Sequence, residues 1–260
     1  MKLSTPLILA ILLVYCGNTM AQNEDQYQKR YFEMNGDTLP YRILLPKDYD
    51  ASKKYPFILF LHGSGERGND NEAQLVHGSG LFLKESVREE HQAIVVFPQC
   101  KANSSWSRLD VHGNIPNRQF IFYEDADPTP DMLLLEGLLK QLRKTYKLDK
   151  KRLYVGGLSM GGFGTFELVR RNPKMFAAAF PICGGANPNI SKQLRKLDWW
   201  VFHGDADQVV PEKYSAEMVK AMKKEKINVK YTVYPGVGHN SWDNAFAEPD
   251  LLPWLLSKSK

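Results

Sequence analysis

Ser159, His239 and an aspartate between them are the residues whose types and order could do chemistry in this sequence. A serine hydroxyl is a poor nucleophile at neutral pH. It needs a base, and the base needs an acid to orient it. Ser159 lies in Gly157-Leu158-Ser159-Met160-Gly161, a G-x-S-x-G pattern. Glycine and serine are common enough for this pattern to recur by chance, so alone it is weak. Its context strengthens it. A short apolar strand, Leu153–Val155, precedes it, and a helical spacing of Phe163, Phe166, Leu168 and Val169 follows until Asn172-Pro173. On so tight a turn the hydroxyl is pushed out at the end of the sheet, and Gly157 and Gly161 permit close backbone approach. The helix N-terminus favours developing negative charge. The bland alternative is a glycine-rich strand-to-helix turn with an incidental serine.

The base and acid should follow the serine, after later strands. Among six histidines, His77, His91 and His112 precede Ser159 in polar stretches, while His62 and His203 each end a strand. His239 alone lies in a loop after the last expected strand, in Pro235-Gly236-Val237-Gly238-His239-Asn240-Ser241-Trp242. For the acid, Trp199–His203 leads into Gly204-Asp205-Ala206-Asp207, and two carboxylates compete. Asp207 is preferred because the loop must turn back toward the histidine before its acid is useful, but residue order barely separates it from Asp205. Acyl transfer also needs donors for an oxyanion. The backbone N–H of Met160 is one candidate. The N–H of Ser64, in the His62-Gly63-Ser64-Gly65 loop, is the other. A second copy of those letters, His77-Gly78-Ser79-Gly80, has no apolar strand before it and reads as structural.

The elements that must position these groups alternate. Tyr27–Met34 and Leu39–Leu45 read as a hairpin around Asn35-Gly36-Asp37. Pro56–Leu61, Ile94–Phe97, Ala177–Ile182, Trp199–His203 and Val229–Tyr234 are apolar runs of strand length, suited to parallel strands buried on both faces. Asp131–Tyr146 and Pro211–Lys226 have helical apolar spacing, and Pro253–Leu256 belongs to a short terminal helix. The expected fold is α/β: a mainly parallel sheet with helices on both faces and an antiparallel N-terminal hairpin. Lys101 to Thr129 resists this scheme. It is long, polar and aromatic, and it leaves the C-terminal end of a strand, where open α/β sheets bind ligands. A surface hairpin on the rim is the competing reading. Trp106 in this stretch and Trp242 beside the histidine loop are the candidate substrate contacts.

The 260 residues carry a formal charge of +5, with the basic residues scattered; the densest run, Lys220–Lys226, reads as a solvated helix face, which argues against a nucleic-acid partner. Lys2, the apolar Leu7–Val14 and Thr19-Met20-Ala21 form a signal peptide over residues 1–21, so residues 22–260 are the expected exported, periplasmic or secreted domain. The apolar stretch is too short to span a bilayer. A lipoprotein anchored through Cys16 is the rival reading, opposed by Tyr15 where lipoprotein signals want a small residue. Cys100 and Cys183 are expected as free, buried thiols. No Cys/His spacing suggests a metal site, and no cofactor is expected.

The blocks LHGSGERGND, FPQC, RLYVGGLSMGGFGTFEL, FAAAFPICGG, VFHGDADQVVP and YPGVGHNSW, in this order, resemble the α/β-hydrolase superfamily. More closely they resemble its secreted single-domain esterases, the group sometimes labelled predicted peptidases, similar to feruloyl and acetylxylan esterases and to the catalytic domain of prolyl oligopeptidases. The likeness runs from about Tyr41 to Trp254. It implies Ser159 as nucleophile, Asp207 as the last residue of the HGxxD pattern, and His239 as base. It further implies a serine carboxylesterase, acting on acyl or hydroxycinnamoyl esters of plant glycans or on a small-molecule ester. A peptidase of prolyl-oligopeptidase type is the runner-up, weakened because the chain is too short to carry a gating propeller. A non-catalytic glycan-binding module is the reading from another class, opposed by the presence of all three residues. Residues 101–129 match no motif of the group.

Overall fold

The computed structural model describes residues 24–260. The expected leader, its cleavage site and Cys16 lie outside the described residues. The chain opens with β1 (Gln28–Met34) paired antiparallel to β2 (Asp37–Leu44). Asn35 and Gly36 between them have φ of 55° and 79°, the left-handed pair that an Asn-Gly turn accommodates and that suits the twist of a hairpin. Then come β3 (Tyr55–Leu61), β4 (Ile94–Pro98), β5 (Leu109–His112), β6 (Gln119–Phe122), β7 (Leu148–Leu158), β8 (Ala178–Ile182), β9 (Asp198–Gly204) and β10 (Val229–Tyr234). The helices are α1 (Ser79–Leu83), α2 (Glu85–Glu90), α3 (Pro130–Thr145), α4 (Met160–Arg171), α5 (Lys213–Lys224), α6 (Trp242–Ala247) and α7 (Leu251–Leu256). Pro130 opens α3 where its missing N–H costs nothing, and the Thr129 hydroxyl accepts from the Met132 N–H.

The main sheet runs β1-β2-β4-β3-β7-β8-β9-β10, antiparallel at the β1–β2–β4 edge and parallel from β4 through β10. This is the expected mainly parallel α/β sheet with an antiparallel N-terminal hairpin. The unbroken apolar strands have a simple cause. On β3, Phe57, Leu59 and Leu61 pack into a core with α3, α4 and α5, while Ile58 and Phe60 face a second core with α1, α6 and α7. Both faces of the strand are covered, so neither set can be polar. Cys100 and Cys183 are free and buried. They follow β4 and β8, which β3 and β7 separate in the sheet. Among the described residues no helix is long and apolar enough to cross a membrane.

Residues 101–129 form a two-stranded hairpin, β5–β6, outside the main sheet. Its inner face carries Leu109, Phe120 and Phe122, which pack on Phe163 of α4 and on Tyr214 of α5. The Phe120 N–H donates to Tyr214 Oη at 2.8 Å, and Asn187 Nδ2 donates to Phe122 O at 3.0 Å. These are the cross-links that hold an isolated hairpin, which would be marginal alone. The duplicate letters at His77–Gly80 start α1. The Ser79 hydroxyl donates to Leu75 O and its carbonyl accepts from Tyr27, a packing role.

Candidate active site

Four strand ends converge. Ser159 follows β7, the loop from His62 follows β3, Asp207 follows β9 and His239 follows β10. All are C-terminal ends, the edge at which an open α/β sheet binds ligands. Ser159 sits at φ 52°, ψ −116°, a region side chains rarely occupy. What holds it there is close packing of α4 on the strands. A Cβ added to Gly161 would lie 1.9 Å from Leu61 O, and one on Gly157 2.3 Å from Gly161 O, so only glycine fits at either place. Met160 is the first residue of α4, and its N–H is one of the four that have no acceptor within a helix. Pocket space begins at this turn.

The Ser159 Oγ lies 2.9 Å from His239 Nε2, and His239 Nδ1 lies 2.7 Å from Asp207 Oδ2. A carboxylate only accepts, so Nδ1 carries the proton and the Nε2 lone pair faces the serine hydroxyl. The other carboxylate oxygen, Asp207 Oδ1, accepts from the N–H groups of Val209 and Val210 at 2.8 and 2.9 Å. Burial would raise this carboxyl, but hydrogen bonds from His203 and His239, with the Val210 N–H, hold it well below the usual carboxylate range. Asp205 is elsewhere: its Oδ1 is exposed and accepts from the Gly236 N–H at 2.7 Å, shaping the histidine loop without touching the imidazole.

The loop after β3 is locked from below. Cys100 N–H donates to His62 Nε2 at 2.9 Å, which leaves the ring proton on Nδ1, and Nδ1 donates to Gly63 O at 2.6 Å. Turning the Gly63 carbonyl inward points the N–H of the same peptide, that of Ser64, the opposite way. The loop abuts the turn: a Cβ on Gly63 would come within 3.6 Å of Ser159 Cβ. Ser64, Ser159 and Met160 line one cavity of about 310 Å³, with Phe163, Val210 and, from the β5–β6 hairpin, Leu109, Arg118 and Phe120. A larger cavity of about 800 Å³ lies at the opposite end of the strands, among Tyr49, Arg143 and Lys150, and none of the candidate residues reaches it.

The model of the family described as "Putative esterase" matches residues 33–249. The chain belongs to this esterase family. A thermostable esterase of known crystal structure is 33% identical with a TM-score of 0.83, the match covering 92% of this chain and 64% of that one. A bifunctional acetylxylan esterase/xylanase of Neocallimastix patriciarum is 27% identical over 156 residues, 60% of this chain and 20% of that protein. The "Probable feruloyl esterase C" of Aspergillus oryzae is 24% identical over 204 residues, 77% of this chain and 67% of that one. The chain therefore spans between a fifth and two thirds of the length of these relatives.

The two tryptophans differ in their surroundings. Trp106 is fully buried beneath the β3 loop, where its indole N–H donates to His62 O at 3.2 Å and its ring packs edge-on against His62. A large ring with a donor at its tip fills the space under a loop better than it lines an open cleft. Trp242 packs edge-on against His239, centroids 5.3 Å apart, and against His77; it flanks the imidazole outside the cavity.

A second buried histidine fixes the position of the acid. His203, wholly buried, sets Nε2 2.8 Å from Val210 O and 3.2 Å from Asp207 Oδ2, so Asp207 is held between two imidazoles. The four-residue spacing in His203-Gly204-Asp205-Ala206-Asp207 was the only signal for it. Cys183, Asp207 and His239 bring three potential metal-binding atoms within 4.8 Å of one another. The Asp207–His239 approach is a hydrogen bond, however, and burial pushes the Cys183 thiol far up, which keeps it protonated and a poor ligand.

His62 makes a pH prediction. Burial lowers it to about 4 from an ordinary 6.5, while its hydrogen bond to Gly63 works the other way. The folded ring thus stays neutral where the unfolded ring takes up a proton. Stability from this group is complete above about pH 6.5 and is lost as pH falls toward the folded value, by about 2.5 kcal/mol between about pH 7.5 and 4.5. Urea melts across that range should show the loss, and His62→Gln protein should lack that part of it. An equal slope in both proteins would show that His62 is not the group responsible.

Proposed function

We propose that this chain is an exported serine hydrolase of carboxylic esters, with residues 1–21 as its signal peptide and residues 22–260 as the catalytic domain. One observation carries the reading: an uninterrupted hydrogen-bond relay, Ser159 Oγ to His239 to Asp207, on a strand–turn–helix elbow whose serine opens onto a cavity. In the proposed cycle His239 Nε2 takes the hydroxyl proton as Ser159 Oγ attacks the ester carbonyl carbon. The N–H groups of Met160 and Ser64 stabilise the oxyanion that forms. His239 returns the proton to the departing alcohol, leaving an acyl-enzyme, and water then repeats the sequence to release the acid and restore Ser159. Asp207 holds the Nδ1–H tautomer and stabilises the imidazolium. Acyl or feruloyl esters on plant glycans are the proposed substrates, a choice supported by the names of the relatives.

The test is covalent labelling followed by a substrate panel. A fluorophosphonate should add to wild-type protein at a single serine, identified as Ser159 by peptide mass spectrometry. Turnover should then be found among p-nitrophenyl acetate, methyl ferulate and acetylated xylan and be absent on a peptide anilide. Labelling with cleavage of the anilide alone would favour a peptidase, and absence of labelling would favour a binding module.

A further inference from the structure

The cavity beside Ser159 has a charge that ester hydrolysis does not require. Its walls combine serines with an apolar side that includes Leu109, Phe120 and Phe163, and two arginines line it while no carboxylate does. Arg67 ties its Nε to Ser64 O at 2.9 Å and one terminal nitrogen to Ser104 O at 3.2 Å, which fixes the guanidinium while leaving other N–H groups free. Both partners are carbonyls, so its charge is not neutralised there. Arg118 comes from the β5–β6 side and is partly buried. Its Nε is fully buried and has no hydrogen-bond partner among the described residues. Neither the exposed Arg67 nor Arg118 lies within salt-bridge distance of a carboxylate among the described residues, whereas the buried Arg42 reaches Glu72 at 3.9 Å and Arg170 pairs with Glu167 at 2.8 Å. Glu66, on the β3 loop, faces His77 at 3.7 Å and does not line the cavity.

A guanidinium whose buried donor has no partner is costly unless something supplies an acceptor. A carboxylate answers that need, because it takes two parallel N–H bonds from the planar fork. We infer that the ester bound here carries a carboxylate on the part that fills this cleft, recognised by Arg118 with Arg67 adding positive potential. The apolar side holds the carbon skeleton and the arginines its anionic end. This rests on the hydrolase reading for the chemistry at Ser159 but not for binding.

Two matched pairs of substrates locate the carboxylate. On the acyl side, the mono-p-nitrophenyl ester of glutaric acid is compared with p-nitrophenyl pentanoate. On the alcohol side, p-acetoxybenzoate is compared with p-acetoxybenzamide. The quantity read is the ratio of kcat/KM, anionic over neutral, in wild type divided by the same ratio in Arg118→Gln, so that intrinsic reactivity cancels. In one pair this quotient should be about tenfold or more, carried mainly by KM, shrinking with added salt, and largely restored in Arg118→Lys. A quotient near one in both pairs would overturn the inference, as would equal losses on anionic and neutral esters. Binding is read separately by calorimetry on Ser159→Ala protein with and without Arg118→Gln. A carboxylate preference that depends on Arg118 there, alongside a wild type that hydrolyses no ester, would uphold the subsite and sink only the hydrolase reading. Ester turnover with no such preference would do the reverse.

Discussion

Ser159→Ala protein should fold as the wild type does and lose ester hydrolysis by several orders of magnitude, up to the order of 10⁶ in kcat where nucleophile and base act as a unit. Both halves of this expectation follow from the turn. The side chain contributes one hydrogen bond, to an imidazole that is itself partly exposed, so its removal costs on the order of 1 kcal/mol. Alanine keeps the Cβ and inherits the same backbone angles, so the strain at φ 52° is neither added nor relieved. Chemistry loses its attacking atom altogether, and no nearby group replaces it: the Cys183 thiol is buried and stays protonated. Initial rates on p-nitrophenyl esters beside a thermal melt decide the matter. Activity close to wild type in a correctly folded variant would remove Ser159 from the mechanism.

Asp207→Asn should be folded and nearly inactive, whereas Asp205→Asn should turn over ester at close to the wild-type rate. The reason lies in which oxygen does what. Asp207 Oδ1 already accepts two backbone N–H groups, from Val209 and Val210. An asparagine would keep its carbonyl there and turn its NH₂ toward His239 and His203, a donor facing donors. His239 could meet it only by moving its proton to Nε2, and that removes the lone pair that Ser159 needs. The corresponding aspartate-to-asparagine change in a serine protease costs about 10⁴ in kcat. Asp205 makes one exposed hydrogen bond to Gly236, worth about 1 kcal/mol, and does not touch the ring. If Asp205→Asn proves to be the dead variant and Asp207→Asn the active one, the acid has been assigned to the wrong carboxylate while the hydrolase reading survives.

The turn around Ser159, the place of His239 after the last strand and the mostly parallel sheet were readable from residues alone. The cause is that each is written locally. A glycine two positions before and after the serine reports backbone crowding at that turn, and an unbroken apolar run reports a strand covered on two faces. Asn-Gly at 35–36 specifies its own left-handed turn. Other features depend on residues far apart in the chain, and only the tertiary structure decided them. The Asp205–Asp207 choice turned on which carboxylate meets a ring 32 positions later. Trp106, polar at one end and set in a polar stretch, looked like a cleft residue, but its indole N–H finds the carbonyl of His62, 44 positions earlier, under the loop. The segment around residues 101–129 showed no strong period because its two strands are only four residues long and apolar residues stand on both faces of the hairpin, Phe120 and Phe122 against Phe163 and Tyr214 and Ile121 exposed on the other side. His62 opens a glycine loop and His203 stands four residues before Asp207, but their roles come from where β3 and β9 end relative to Cys100 and Asp207. Local sequence can state the conformation and burial of a segment; which distant groups meet there is settled by the packing of the whole sheet.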